Sequence, residues 1–68
     1  MNEFDEDKFL DSLINLTEQE ATNKANENGY YVRVTQRDGN GYMITCDFRL
    51  NRVNFHIENG LVTKATTG

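Results

Sequence analysis

Two side chains in this 68-residue chain could act as a nucleophile and its base: Cys46, the only thiol, and His56, the only imidazole. Nothing around them supports that chemistry. Neither lies in a nucleophile-elbow pattern, and a chain this short rarely has room for both a core and a deep pocket. A lone cysteine more often serves as a small, semi-buried apolar residue. His56 falls on the polar side of an alternating segment, where an exposed or hydrogen-bonded imidazole is the ordinary outcome. No second His or Cys offers metal-ligand spacing. The expectation is a protein that is not an enzyme and has no cofactor and no metal.

The remaining candidates are charges. Arg49 and Arg52 have Asp47 and Glu58 nearby in sequence. As plain cross-strand surface pairs they would contribute about 0.2–1 kcal/mol each. As guanidinium forks gripping a carboxylate they could fix the shape of a loop, which a lysine could not do. Both readings stand at this point. Charge is also unevenly spread: residues 1–28 carry eight acids and two bases, whereas residues 29–68 carry three acids and five bases. The acidic half reads as a solvated helical face. It also argues against nucleic-acid binding, which draws its affinity from clustered Lys and Arg.

Those residues must be positioned by a small domain. A chain of this length buries only about 60% of its unfolded surface, so its stability is marginal. A hydrophobic content of 37% supplies one compact core and is too high for a disordered tail. A single cysteine excludes an internal disulfide and suits a reducing compartment. No apolar run approaches the roughly 20 residues of a membrane span, and Met1, Asn2, Glu3 and Asp5 are the opposite of a basic signal-peptide start. A cytoplasmic protein without membrane contact is expected.

Apolar residues at Phe4, Phe9, Leu10, Leu13 and Ile14 form a narrow stripe that predicts a short helix or helical turn. Residues 1–10 otherwise read as an acidic extension that can fray. Thr17-Glu18-Gln19-Glu20 is a capping box, and the helix it opens runs to about Asn28, with Ala21 and Ala25 inward and Gly29 as a left-handed stop. The period then becomes alternating: Tyr30, Val32 and Val34 face one way, Tyr31, Arg33 and Thr35 the other. Gln36 to Gly41 is polar and glycine-rich and reads as loop. A second strand is expected from about Phe48 to Glu58, with Val53, Phe55 and Ile57 buried. Asn59-Gly60 makes a two-residue hairpin turn, and Leu61 to Ala65 returns as a third strand. The fold class is α+β: one α-helix packed on a small mixed β-sheet, a single domain over 1–68 with an extended loop between its first two main strands. One alternative stays open. Asp38-Gly39 or Asn40-Gly41 could instead close an ordinary antiparallel hairpin between those strands, burying Met43 and Ile44 that an arching loop would expose.

The run Thr45-Cys46-Asp47-Phe48-Arg49-Leu50-Asn51-Arg52-Val53-Asn54 resembles the binding loop and following strand of the potato inhibitor I family of serine protease inhibitors. Ser12 to Thr17, the helix through Ala21, Gly29 with Val32-Arg33-Val34, and Gly60 to Thr63 with Gly68 match the related small bacterial and fungal inhibitors. The likeness covers about residues 11–68. It implies a loop that enters a protease cleft like a substrate, with Cys46 at the specificity position and Asp47 just past the scissile bond. Thr45 and Asp47 would bond to Arg52 below them, and Arg49 and Asn54 would complete the support. Tyr42, Met43 and Ile44 would fill the upstream subsites and Phe48 the downstream side. The second supporting arginine of plant members is Asn54 here, and the cysteine pair of many relatives is absent.

Two functions are therefore expected in turn. The first is a reversible, substrate-like inhibitor of a subtilisin- or chymotrypsin-type serine protease, since a small neutral specificity residue does not suit a trypsin-like pocket. The second is a non-inhibitory module of the same fold, a bacterial or phage accessory protein that binds another protein by its loop, a strand edge or its acidic helix. The chain would act as a monomer or a weak homodimer.

Overall fold

The computed structural model describes residues 4–68, so Met1, Asn2 and Glu3, the start of the acidic extension, lie outside the described residues. Helix α1 (Glu6–Asp11) begins where the Asp5 carboxylate accepts the Lys8 N–H at 3.1 Å. Within the rest of the extension, Phe9 is buried and stacks on Tyr30 with ring centroids 5.3 Å apart. Helix α2 (Glu18–Glu27) carries the expected capping box: Glu20 N–H donates to Thr17 Oγ1, and Thr17 N–H donates to Glu20 Oε1, each at 3.1 Å. It ends in a Schellman motif. Gly29 adopts φ +85°, Tyr30 N–H donates to the Ala25 carbonyl at 3.0 Å, and Gly29 N–H to that of Asn26 at 3.1 Å.

Four strands follow: β1 (Tyr31–Arg37), β2 (Asn40–Gly41), β3 (Arg52–Glu58) and β4 (Leu61–Thr67). They lie in the order β2-β1-β3-β4, with β1 and β3 parallel and the outer pairs antiparallel. The helices pack on one sheet face around Leu13, Ala21, Ala25, Val53, Phe55, Ile57 and Val62, all buried. Ala21 and Ala25 are small enough to bring α2 close to the strands. Both hairpin turns use a positive-φ pair, Asp38-Gly39 (50° and 82°) and Asn59-Gly60 (52° and 78°), as type I′ turns require.

The structure corrects three strand limits. Gln36 and Arg37, expected in a loop, belong to β1, because the Asp38-Gly39 turn lets the strand run directly into it. Phe48 does not begin a strand. β3 starts at Arg52, which pairs with Tyr31 at the beginning of β1; Tyr31 N–H still donates to the Asn51 carbonyl at 2.7 Å, but residues 48–50 lie beyond the end of β1 and have no strand to pair with. β4 runs to Thr67, beyond Ala65, because Thr66 and Thr67 pair with Asn54 and Val53. The open topological question resolves in a mixed way. Asp38-Gly39 does close a hairpin, but its second arm is only Asn40–Gly41, after which the chain leaves the sheet and returns parallel to β1.

Candidate protein-binding loop

Between β2 and β3 the chain runs from Tyr42 to Asn51 as an exposed arch. Met43 is fully exposed, and Tyr42, Ile44, Phe48 and Leu50 are exposed large apolar side chains. Cys46 is a free, exposed thiol. Apolar groups held in water on an irregular segment are unfavourable to the isolated domain, which makes the patch a candidate contact surface.

The loop is pinned from below. Arg52 Nη2 donates to the Asp47 carbonyl at 2.7 Å and its Nη1 lies 3.4 Å from Asp47 Oδ2. On its other side, Arg52 Nε donates to the Gly68 carbonyl at 3.0 Å, and Gly68 N–H returns a bond to the Arg52 carbonyl at 3.1 Å. One guanidinium thus ties the loop, β3 and the residue after β4 together. A Cβ placed on Gly68 would meet the Phe48 ring at 3.5 Å, so the same corner supports the downstream side of the loop.

Arg49 and Arg52 are not equivalent. The Arg52 side chain is 11% exposed, whereas that of Arg49 is 62% exposed and reaches Asp47 Oδ2 alone, from Nε at 2.9 Å. Burial and carbonyl bonding make Arg52 the anchor, while Arg49 is an ordinary surface pair. The Asp47 carboxylate also accepts from the Thr45 hydroxyl on its Oδ1. The Thr45 hydroxyl first, then Arg49 and Arg52, hold the Asp47 carboxyl well below the usual carboxylate range. It therefore stays ionised and bonded throughout the neutral and mildly acidic range.

Two expected contacts fall elsewhere. Thr45 bonds not to Arg52 but to Arg33 of β1, whose Nη1 donates to Thr45 Oγ1 at 3.4 Å. Among the described residues the Asn54 side chain makes no hydrogen bond to the loop; its Oδ1 accepts from Arg33 Nε at 2.9 Å. The reason is register. Arg33 and Asn54 are cross-strand partners in the parallel ladder, a pairing that the sequence alone leaves undetermined.

A second brace holds the upstream end of the loop. Arg37 forks onto Glu18, with Nη1–Oε1 at 2.8 Å and Nη2–Oε2 at 3.2 Å, and its Nε donates to the Tyr42 hydroxyl at 3.0 Å. Tyr42 N–H donates to the Thr35 carbonyl at 2.9 Å. An irregularity between Val34 and Gln36 makes this possible. It adds one residue to β1, so Arg37 pairs with buried Ile57 and shares its helix-facing side instead of the side that bears Arg33. The contact lowers the Glu18 pKa through the Arg37 hydrogen bond and raises that of Arg37. Sequence reasoning passes over Arg33, Arg37 and Glu18. The signal available was Arg33 on the outward side of its strand; Arg37 gave none, because it reads as loop.

His56 lies mid-β3 opposite Gln36 and Lys64, and among the described residues no hydrogen bond joins its side chain to that of Cys46. Among the described residues no group of three or more His, Cys, Asp or Glu side chains is placed to hold a metal ion. No helix among them is long and apolar enough to cross a membrane. Comparison with known proteins finds no matching family model, no matching curated protein and no matching solved structure.

Proposed function

We propose that this chain is a reversible, substrate-like inhibitor of a subtilisin- or chymotrypsin-type serine protease, acting through Tyr42 to Phe48. The observation that carries this reading is the combination at Cys46. The residue is exposed on an apolar arch, while Asp47 beside it is held by both its carbonyl and its carboxylate.

In this reading Cys46 fills the primary specificity pocket, and its carbonyl carbon receives the attack of the protease serine. Met43 and Ile44 lie against the upstream subsites and Phe48 against the downstream side. Arg52 keeps Asp47 in place after the Cys46–Asp47 bond opens, so the new amine stays near the acyl carbon and the bond re-forms. The loop loses little further conformational freedom on binding, because hydrogen bonds have already fixed it. A neutral thiol side chain favours a pocket without a buried acid. The free thiol points to a reducing compartment, the cytoplasm, as the place of action.

The test is a panel of subtilisin-, chymotrypsin-, elastase- and trypsin-like enzymes at micromolar inhibitor with thiols reduced. Suppression of the first three, with trypsin spared, is expected. No inhibition of any of them would remove the proposal.

A further inference from the structure

Arg33 occupies an unusual position for a charged residue. It lies within β1, part-buried and cross-strand from Asn54, and its charge is taken up by no carboxylate among the described ion pairs. Two neutral oxygens hold its guanidinium instead. Nε donates to Asn54 Oδ1 at 2.9 Å, and Nη1 donates to Thr45 Oγ1 at 3.4 Å. With a lone pair occupied by Arg33, the Thr45 hydroxyl turns its own proton to Asp47 Oδ1. The result is one directed relay from Asn54 through Arg33 and Thr45 to Asp47.

We propose that Arg33 is a positioning residue for the loop, pinning Thr45 from β1 as Arg52 pins Asp47 from β3. The inference rests on the reading of Tyr42 to Phe48 as the protease-binding segment. Its physical basis is that one anchor fixes a point but not a direction. With Asp47 alone held, the Cys46 peptide could swing about that point. Pins on both neighbours fix where the Cys46 carbonyl sits and which way it faces. Asn54 does not replace a missing cation here; it sets the orientation of one supplied by the adjacent strand. A positive charge against the hydroxyl also strengthens the bond that Thr45 gives to Asp47.

The test uses the free protein, so it needs no protease and can fail separately from the inhibitor reading. Backbone 15N order parameters are measured at Thr45, Cys46 and Asp47 in the parent, Arg33→Ala, Arg33→Lys and Thr45→Val, alongside hydrogen exchange at Leu13 and Phe55. In Arg33→Ala the three loop values should fall from near 0.85 toward about 0.6, with core exchange unchanged. Arg33→Lys should recover only part of the order, since the donors of an ammonium radiate from one nitrogen and cannot reproduce the spacing of Nε and Nη1 toward Asn54 and Thr45. Arg33→Ala and Thr45→Val should be non-additive. Where a protease is inhibited, Arg33→Ala should also weaken inhibition roughly tenfold, the loss of about one net hydrogen bond. Unchanged loop order in Arg33→Ala, or loss of core protection in step with the loop, would overturn the proposal. If Arg33→Ala does not fold, Asn54→Ala and Thr45→Val test the same relay from its other members.

Discussion

Replacing Arg52 by Met removes its donors and retains most of its stem volume, so it isolates the hydrogen bonds from packing. The lost bonds are chiefly those to the Asp47 carbonyl at 2.7 Å and the Gly68 carbonyl at 3.0 Å, with the longer 3.4 Å contact to Asp47 Oδ2 adding little at the surface. A hydrogen bond involving a charged group contributes about 1.5–3 kcal/mol net. Both carbonyls can recover water at the surface, which places each bond at the low end, for a combined loss of about 3 kcal/mol. A 68-residue domain has a total stability of about 3–10 kcal/mol, so this is a large share of it. The melting temperature should fall by about 12–24 °C, taking about 4–8 °C per kcal/mol for a domain of this size. The assay is urea and thermal unfolding followed by tyrosine fluorescence, since the chain has three Tyr and no Trp. Arg49→Met is the control: its single exposed contact should make it nearly indistinguishable from the parent. Equal effects of the two substitutions would refute the assignment of Arg52 as the anchor.

Thr17→Ala breaks the capping box and should cost about 1 kcal/mol, read as a drop of about 4–8 °C in melting temperature. Phe55→Ala empties the centre of the core and should lose about 3–5 kcal/mol, enough to weaken or abolish cooperative unfolding as seen by calorimetry. The Asp47 carboxyl has a depressed folded pKa, so its contribution is complete above the unfolded value of about 3.9 and is lost as pH falls through the folded value. Loop order should therefore hold from neutral pH to about 4 and decay only below it, and Asp47→Asn should remove that part of the acid dependence in an NMR titration. Tyr30 should titrate late, near 12, because its hydroxyl donates to Glu6 at 2.6 Å; Glu6→Gln should bring its absorbance titration back toward 10.

Local signals in this chain are legible because their physics is local. The capping box at Thr17 and Glu20, the Gly29 stop and the Asn59-Gly60 turn each depend on a few adjacent residues. The buried face of Val53, Phe55 and Ile57 follows from strict alternation. Pairing is not local. Phe48 to Asn51 alternate well enough for a strand, yet β1 begins too late to pair with Phe48, Arg49 and Leu50, and nothing within those residues records that. The irregularity after Val34 reverses the side on which Arg37 lies, which is how it comes to meet Glu18 and Tyr42. Arg33 becomes a loop contact only once β1 is known to run parallel to β3 with Asn54 opposite it. In the loop itself, the Arg52–Asp47 contact is one that the resemblance to potato inhibitor I proteins implies and that the residues alone leave open, whereas the Thr45 partner is set by register.

The most direct test of the central claim is limited proteolysis by subtilisin at excess inhibitor, with thiols reduced and intact mass recorded over time. Slow cleavage confined to the Cys46–Asp47 bond, with the enzyme suppressed throughout, is the predicted result. Rapid cleavage elsewhere, or an intact chain beside a fully active enzyme, would contradict it.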